Sequence, residues 1–217
     1  MRVLITAGPT REPIDDVRFI SNRSSGQMGF ALARSAAEHG HEVTLLLGPV
    51  LLPPSVPEMA QVVRFNTTAD LEALLAQHFP VCDVLIKAAA VADYRPARVM
   101  KGKTPRAEGM DIKLEPTPDL VAGCAAVKRA DQTIIAFALE DPTVLETRAV
   151  EKMRRKKVDA ILANPLQTMD APDILPILFH ADGRRDDPGP MLKPELAHWL
   201  IGRVESMRAA PSHGGPG

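Results

Sequence analysis

Short apolar runs rich in β-branched residues alternate with helical patterns along most of the chain, and this alternation restricts the fold more than any other feature. Residues 2–7 (RVLITA) read as a strand, residues 28–39 as a helix stopped by Gly40, and residues 42–47 (EVTLLL) as a second strand. Such a β-α-β unit implies a right-handed crossover between parallel neighbours. A proline-rich connection over 49–57 leads to a third strand at 62–65. Thr67 with Asp70 three residues later predicts a capping box opening a helix over 69–79. Residues 83–89 (DVLIKAA) form a fourth strand whose continuous hydrophobicity suits cover on both faces.

Three strand-and-helix units before the fourth strand predict an α/β fold: a doubly wound, Rossmann-like, mostly parallel sheet with helices on both faces and the first strand at its centre. In such sheets the chain reverses direction between the first and fourth strands, and ligands bind at the carboxyl ends flanking that switch. Gly8, Pro9 and Thr10 would then face Ala88, Ala89 and Ala90, small residues that keep a crevice open. A flap-like insertion follows strand 4: residues 93–106 hold Arg95, Arg98, Lys101, Lys103 and Arg106 among prolines and glycine, which reads as a mobile basic flap, although such charge runs are usually solvated loops. A short strand over 111–114 closes it. Thr117 is expected to cap a helix with Pro118 at its first position and Asp119 behind. A fifth strand (133–138), a helix (144–157), a sixth strand (160–163), a strand and turn from 174, and a last helix (194–204) complete a single domain over 1–208, with a disordered tail at 209–217.

The 217 residues, 45% of them apolar, suffice for one core, and a net charge of −1 disfavours nucleic acid as a partner. The two cysteines, Cys82 and Cys124, lie outside any CxxC spacing, which argues against a metal knuckle or a disulfide scaffold and for a reducing cytoplasm. No apolar run approaches the roughly 20 residues of a membrane helix, and no signal pattern opens the sequence.

Two places carry candidate chemistry. In ISNRSSGQMG, residues 20–29, Ser24, Ser25 and Gly26 fall where the first helix should begin, so its unpaired N–H groups could receive a phosphate; serines that merely cap the helix are the equal alternative. Asn22, just outside, can donate and accept. Lys152 and Lys156, four apart on one helix face, repel each other unless an anion lies near them, a triphosphate being one such anion; a solvent-facing helix end is the bland alternative. The sequence has no GxSxG elbow, HExxH pair or Walker A loop, and no metal-ligand spacing among its six histidines; His39 and His41, flanking a turn glycine, are expected to be exposed.

The stretch ITAGPTREPIDDVRFISNRSSGQMGFALA resembles the opening of phosphopantothenoylcysteine synthetase, the ligase of coenzyme A biosynthesis. Further matches at KAAAVADYRP, Lys101 with Lys103, PTPDLVAG and AFALE recur in family order over nearly the whole chain. The resemblance implies that L-cysteine is joined to 4'-phosphopantothenate through an acyl-nucleotidyl intermediate, with CTP as co-substrate, ATP as the alternative, and Mg2+ accompanying the nucleotide. Amide formation from a free carboxylate needs such activation, and it calls for lysines and backbone N–H groups more than for a protein nucleophile.

Carried to matching positions, the resemblance gives Asn22 the phosphopantothenoyl moiety and its acyl intermediate, with Ser24, Ser25, Gly26 and Ala90 as further substrate contacts. Lys101 resembles the flap lysine that acts as the intermediate is consumed. The nucleotide would meet Asp93, the backbone at Lys87, Ala88 and Ala89 and at Pro118, Asp119, Leu120 and Val121, then Phe137, Lys152 and Lys156. A homodimer is implied; the flavin-dependent decarboxylase to which many relatives are fused would be a separate polypeptide or absent from this sequence; no protein cluster would bind the metal by itself. Gln27 and Thr104 stand where many relatives have lysine, and Leu139 and Asp141 replace smaller or uncharged residues. Two rivals fare worse. An NAD(P)-dependent oxidoreductase predicts GxGxxG where the chain has Gly8-Pro9-Thr10, and an acidic residue where it has Leu47-Gly48. A non-catalytic nucleotide-binding partner would tolerate loss of Asn22 or Lys101, and both are present.

Overall fold

The structure, a computed structural model, describes residues 1–50, 60–105, 109–168 and 173–209. Most of the connection over 49–57, Arg106 in the flap, and residues 210–217 of the expected tail lie outside the described residues. The strands of the main sheet are β1 (Arg2–Ala7), β2 (Glu42–Leu47), β3 (Ala60–Arg64), β4 (Val84–Lys87), β5 (Thr133–Glu140), β6 (Ala160–Pro165), β7 (Ile177–His180) and β8 (Arg185–Asp186). Their order across the sheet is β8-β7-β6-β5-β4-β1-β2-β3. Strands β1 to β6 run parallel, and β7 and β8 add an antiparallel edge. The reversal between β1 and β4 falls where the alternation puts it. The added hairpin makes β1 sixth of eight, so it is central only within the parallel part.

Side-chain alternation distributes the core. Val3, Ile5 and Ala7 of β1, with Val84 and Ile86 of β4, pack under α1 (Gln27–Glu38) and α5 (Lys193–Ala209). Leu4, Leu85, Ile134 and Ile161 face the other way, under α2 (Thr68–His78), α3 (Leu120–Ala126) and α4 (Leu145–Lys156). Strands buried on both faces therefore read as continuous apolar runs. The capping box forms as expected: Thr67 Oγ1 accepts from Asp70 N, and Asp70 accepts from Thr67 N. No helix among the described residues is long and apolar enough to cross a membrane.

Three local expectations shift. The flap's closing strand is Leu114–Pro116, paired antiparallel with Tyr94–Pro96, rather than 111–114. Strand β4 ends at Lys87, short of Ala88 and Ala89. Asp119, not Thr117, caps α3 by accepting from Ala122 N, which leaves Pro118 ahead of the cap; the Thr117 hydroxyl instead donates to Ala92 O. That bond holds the Thr117 side chain on the loop after β4, and Asp119 stands directly before Leu120, the first residue of α3.

Gly29 sets how closely α1 lies on β1. A Cβ there would stand 2.2 Å from the Cβ of Ala7 and 3.1 Å from its Cα. Gly29→Ala is expected to cost about 1–3 kcal/mol by overpacking, read as a lower urea midpoint with unchanged slope; an unchanged midpoint would show that the helix shifts freely.

Candidate active site

The carboxyl ends of β1 and β4 do not stand apart as two sides of a crevice. Their outgoing segments continue to pair: Ala90 N donates to Gly8 O at 2.9 Å, and Thr10 N to Ala90 O at 3.2 Å. Two buried threonine hydroxyls accept from the same loop, Thr6 Oγ1 from Ala89 N and Thr10 Oγ1 from Ala92 N. The expected crevice between these tips is therefore closed by backbone hydrogen bonds. The open space lies beside them, over the ends of β4, β5 and β6.

That space is a cleft of about 910 Å³ whose walls include Asn22, Lys87 to Val91, Asp93, Pro118 to Val121, Phe137, Lys152 and Lys156. A smaller cavity of about 200 Å³ lies between Ser24, Ser25, Gly26 and Gln27 on one side and Thr168, Ile174 and Lys193 on the other. Arg23, Ala88, Ala90, Phe137, Leu139 and Asn164 border both, so the two spaces adjoin. Every nucleotide or substrate candidate from the sequence borders one or other space except Lys101. That lysine is exposed on the flap and borders neither.

Cations concentrate in the larger cleft. Lys87 is partly buried at the end of β4, and desolvation, then the charges of Lys156 and Lys152, push its ammonium down to about 8. Burial and Lys156 likewise lower Lys152. The repulsion expected between Lys152 and Lys156 is eased by protein carboxylates: Lys156 Nζ lies 2.8 Å from Asp119 Oδ2, and Lys152 Nζ 3.9 Å from Glu140 Oε1. Burial opposes ionisation of Asp119, yet hydrogen bonds from Lys156 and Ala122 N hold its carboxyl below the ordinary value.

The smaller cavity meets the start of α1. Gly26, at φ 73°, is the N-cap; no side chain caps the helix, and its first turn holds no acidic residue. Ser24 and Ser25 make only long contacts, 3.4 and 3.5 Å, with Gly26 N and Gln27 N, so they do not act as caps. The other long helices have a carboxylate near their start: Glu12 accepts from Thr68 N at α2, Glu195 lies in the first turn of α5, and Glu146 lies in the first turn of α4, which also lacks a capping side chain. The N–H groups of α1 are thus left for an external anion. Asn22 Nδ2 donates to Val91 O at 2.9 Å, which ties the ribbon formed by Arg11–Pro13 and Phe19–Ser21 to the loop after β4.

The flap is anchored to that ribbon. Gly102 N donates to Asp16, Thr104 N to Asp15, and Met100 N to Ile14 O, while Arg18 bonds both Asp15 and Thr104 O. Arg18 holds the Asp15 carboxyl far below its usual range. Thr104 serves here as a backbone anchor.

Residues 1–207 match the family model described as DNA/pantothenate metabolism flavoprotein C-terminal domain. The chain belongs to this family. The bifunctional coenzyme A biosynthesis protein CoaBC of Escherichia coli K12 is 40% identical over 209 residues, 93% of this chain and 50% of that protein. A cysteine/cysteine sulfinic acid decarboxylase from an unknown prokaryotic organism is 46% identical over 167 residues, 76% of this chain and 46% of that protein. The chain therefore spans about half the length of these curated relatives. The crystal structure of the C-terminal domain of a CoaBC superposes with a TM-score of 0.81 at 37% identity, covering 95% of this chain and 94% of that one. The domain of this family thus has the same mostly parallel α/β sheet.

Sequence reasoning missed Arg23, Arg155 and Asn164 as walls of the cleft, and Lys193 as a wall of the smaller cavity. Asn164 had a signal: a polar side chain inside the apolar run of β6. It is buried, borders both cavities, and its Oδ1 has no hydrogen-bond partner within the protein. Such an atom costs stability unless something outside the chain bonds it.

Because the folded-state lysine is depressed to about 8, Lys87 loses its proton before an unfolded-state lysine would. The free protein should therefore gain stability between about pH 8 and 10. Affinity for inorganic pyrophosphate should fall over the same rise, as the ammonium neutralises. Calorimetric titrations from pH 7 to 9.5 on wild type and Lys87→Met would show the step in the first and its absence in the second; identical profiles would exclude Lys87 from anion binding.

Proposed function

We propose that residues 1–208 form a single phosphopantothenate–cysteine ligase domain acting in coenzyme A biosynthesis. The observation that carries this reading is the adjoining of two anion-suited spaces, a lysine-walled cleft and a cavity at an uncapped helix start. Two phosphorylated reactants laid end to end need such an arrangement. Family membership and the 40% identity to a coenzyme A biosynthesis protein support it.

In the first step a carboxylate oxygen of phosphopantothenate attacks the α-phosphorus of CTP. The new O–P bond forms as the bond to the β-phosphate breaks, and pyrophosphate leaves. In the second, the amine of cysteine attacks the acyl carbon, the amide C–N bond forms, a proton is lost, and CMP departs. Lys87, Lys152 and Lys156 hold the triphosphate and stabilise charge on the leaving pyrophosphate, with Asp119 releasing Lys156 as the phosphates arrive. Asp93, Phe137 and the backbone at Ala88, Ala89, Pro118, Leu120 and Val121 receive the nucleoside. Ser24, Ser25 and Gly26 receive the phosphate of phosphopantothenate on the N–H groups of α1. Asn22 and Ala90 border the acyl group between.

Mg2+ accompanying the nucleotide would neutralise phosphate charge; among the described cleft walls the carboxylates that could hold it are Asp93 and Asp119, the latter bonded to Lys156. Lys101 reaches the intermediate when the flap folds over the cleft. CTP is preferred to ATP on the resemblance. The enzyme works in the cytoplasm as a homodimer, with exposed Val17, Phe19, Tyr94 and Leu114 on the two ribbons as its apolar contact. Its product passes to a flavin-dependent decarboxylase, as the family resemblance implies.

Pyrophosphate release measured with phosphopantothenate, cysteine and each nucleoside triphosphate in turn should be fastest with CTP. Lys101→Gln should accumulate the acyl-cytidylate, seen by mass spectrometry, and lower kcat about 100-fold or more. Silence with every triphosphate rejects the ligase reading; turnover led by ATP rejects only the nucleotide. In sedimentation, Phe19→Glu should convert a dimer to a monomer, and a wild-type monomer would remove the dimer.

A further inference from the structure

At the far end of α1 from the cleft, roughly 18 Å along the helix axis, the sequence His39-Gly40-His41 ends the helix. Gly40 sits at φ 76°, with its N–H bonded to Ala37 O and the N–H of His41 to Ala36 O. These two bonds close a Schellman turn, in which a left-handed glycine reverses the chain at no steric cost. The turn presents the imidazoles on either side of the glycine to α5. There His198 and Glu205, two helical turns apart, occupy one face.

The expected exposure of His39 and His41 is therefore not observed. Their side chains are 19% and 9% exposed, and both meet Glu205, which is 38% exposed. Their isolation in the sequence concealed this, because the third group comes from a helix more than 160 residues later. Glu205 Oε1 lies 3.1 Å from His39 Nδ1 and 2.9 Å from His41 Nε2. His41 Nε2 is nevertheless buried without a hydrogen bond, its contact with Glu205 being close but misaligned. His39 Nε2 lies 3.1 Å from His198 Nδ1, which occupies that nitrogen and leaves Nδ1 toward the carboxylate. Met1 N approaches His41 from its other side, 3.5 Å from Nδ1.

We propose that His39 Nδ1, His41 Nε2 and a Glu205 carboxylate oxygen bind one Zn2+, with solvent completing the shell. The three donor atoms lie within 4.8 Å of one another. Zinc bonds of about 2.0–2.2 Å at tetrahedral angles place ligand atoms roughly 3.3 Å apart. The two contacts to Glu205 are already near that edge length, and the two imidazole nitrogens lie within 4.8 Å, so the ion enters as the carboxylate moves outward and the rings adjust toward each other. Two nitrogens and one oxygen suit zinc better than magnesium or calcium, which prefer oxygen alone. Bound there, zinc pins the C-terminal half of α5 to the turn between α1 and β2. It is a structural clamp distant from the proposed ligase chemistry.

The test uses the full chain without an affinity tag, stripped by chelator and titrated with zinc chloride in a calorimeter. One ion per chain should bind with a dissociation constant of about 10 μM or tighter. With free zinc ~100-fold above that constant, the unfolding midpoint should rise by about 5–10 °C. Glu205→Gln and His41→Ala should each weaken binding at least tenfold and abolish the rise, while His78→Ala, outside the cluster, should leave both unchanged. Zinc-edge absorption on the wild type, which needs no variant to fold, should show nitrogen and oxygen neighbours near 2.0–2.1 Å. Binding weaker than 1 mM, full binding in Glu205→Gln, or a sulfur shell would each overturn the proposal.

Discussion

Continued backbone pairing beyond β1 and β4 is the constraint on which the remaining structure depends. The bonds between Gly8, Thr10 and Ala90, with the threonine hydroxyls beneath them, lock the switch point of the sheet shut. The loop from Ala88 to Asp93 can then leave in only one direction, toward β5 and α3. That direction puts Asp93 and Asn22 on the same cleft, held together by the Asn22 bond to Val91 O. It also places the ribbon and the flap side by side, so that Asp15 and Asp16 can anchor both.

Charge placement follows from this geometry. A lysine at the end of a central strand is partly desolvated, and two further lysines from α4 reach the same space. The protein holds this excess of cations with two carboxylates, Asp119 and Glu140, at unequal distances. Neither forms a salt bridge with Lys87, whose ammonium is pushed down to about 8 by burial. A polyanion in the cleft would hold that proton more firmly and compete with Asp119 for Lys156, at the start of α3.

The helix starts show the same economy. The N-terminus of α2 takes Glu12 and its own capping box, and that of α3 takes Asp119. Neither α1 nor α4 has a capping side chain, but α4 carries Glu146 in its first turn, whereas α1 begins at a left-handed glycine with no acidic residue in its first turn. Gly29 lets it lie close on Ala7, so its open N–H groups face the smaller cavity. The cavity and the cleft then meet at Ala90, Phe137 and Asn164.

The sequence alone determined the parallel sheet, the reversal between β1 and β4, the capping box at Thr67 and the identity of most cleft walls. These features are written in local patterns: period-two burial, cap residues and motifs that follow chain order. Tertiary structure decided what depends on partners distant in the chain. The cap of α3 is Asp119 because the helix begins at Leu120, while Thr117 bonds Ala92; the lysine pair on α4 found carboxylates at the start of α3 and on β5; Lys101 stayed outside the cleft because Asp15 and Asp16 hold the flap on the ribbon. Asn164 and the grouping of His39, His41 and Glu205 arose likewise, since neither strand burial against a cavity nor the meeting of α1 with α5 leaves a periodic signal. Short-range preferences act through backbone geometry and are legible in one dimension, whereas side-chain pairing across the fold is set by packing.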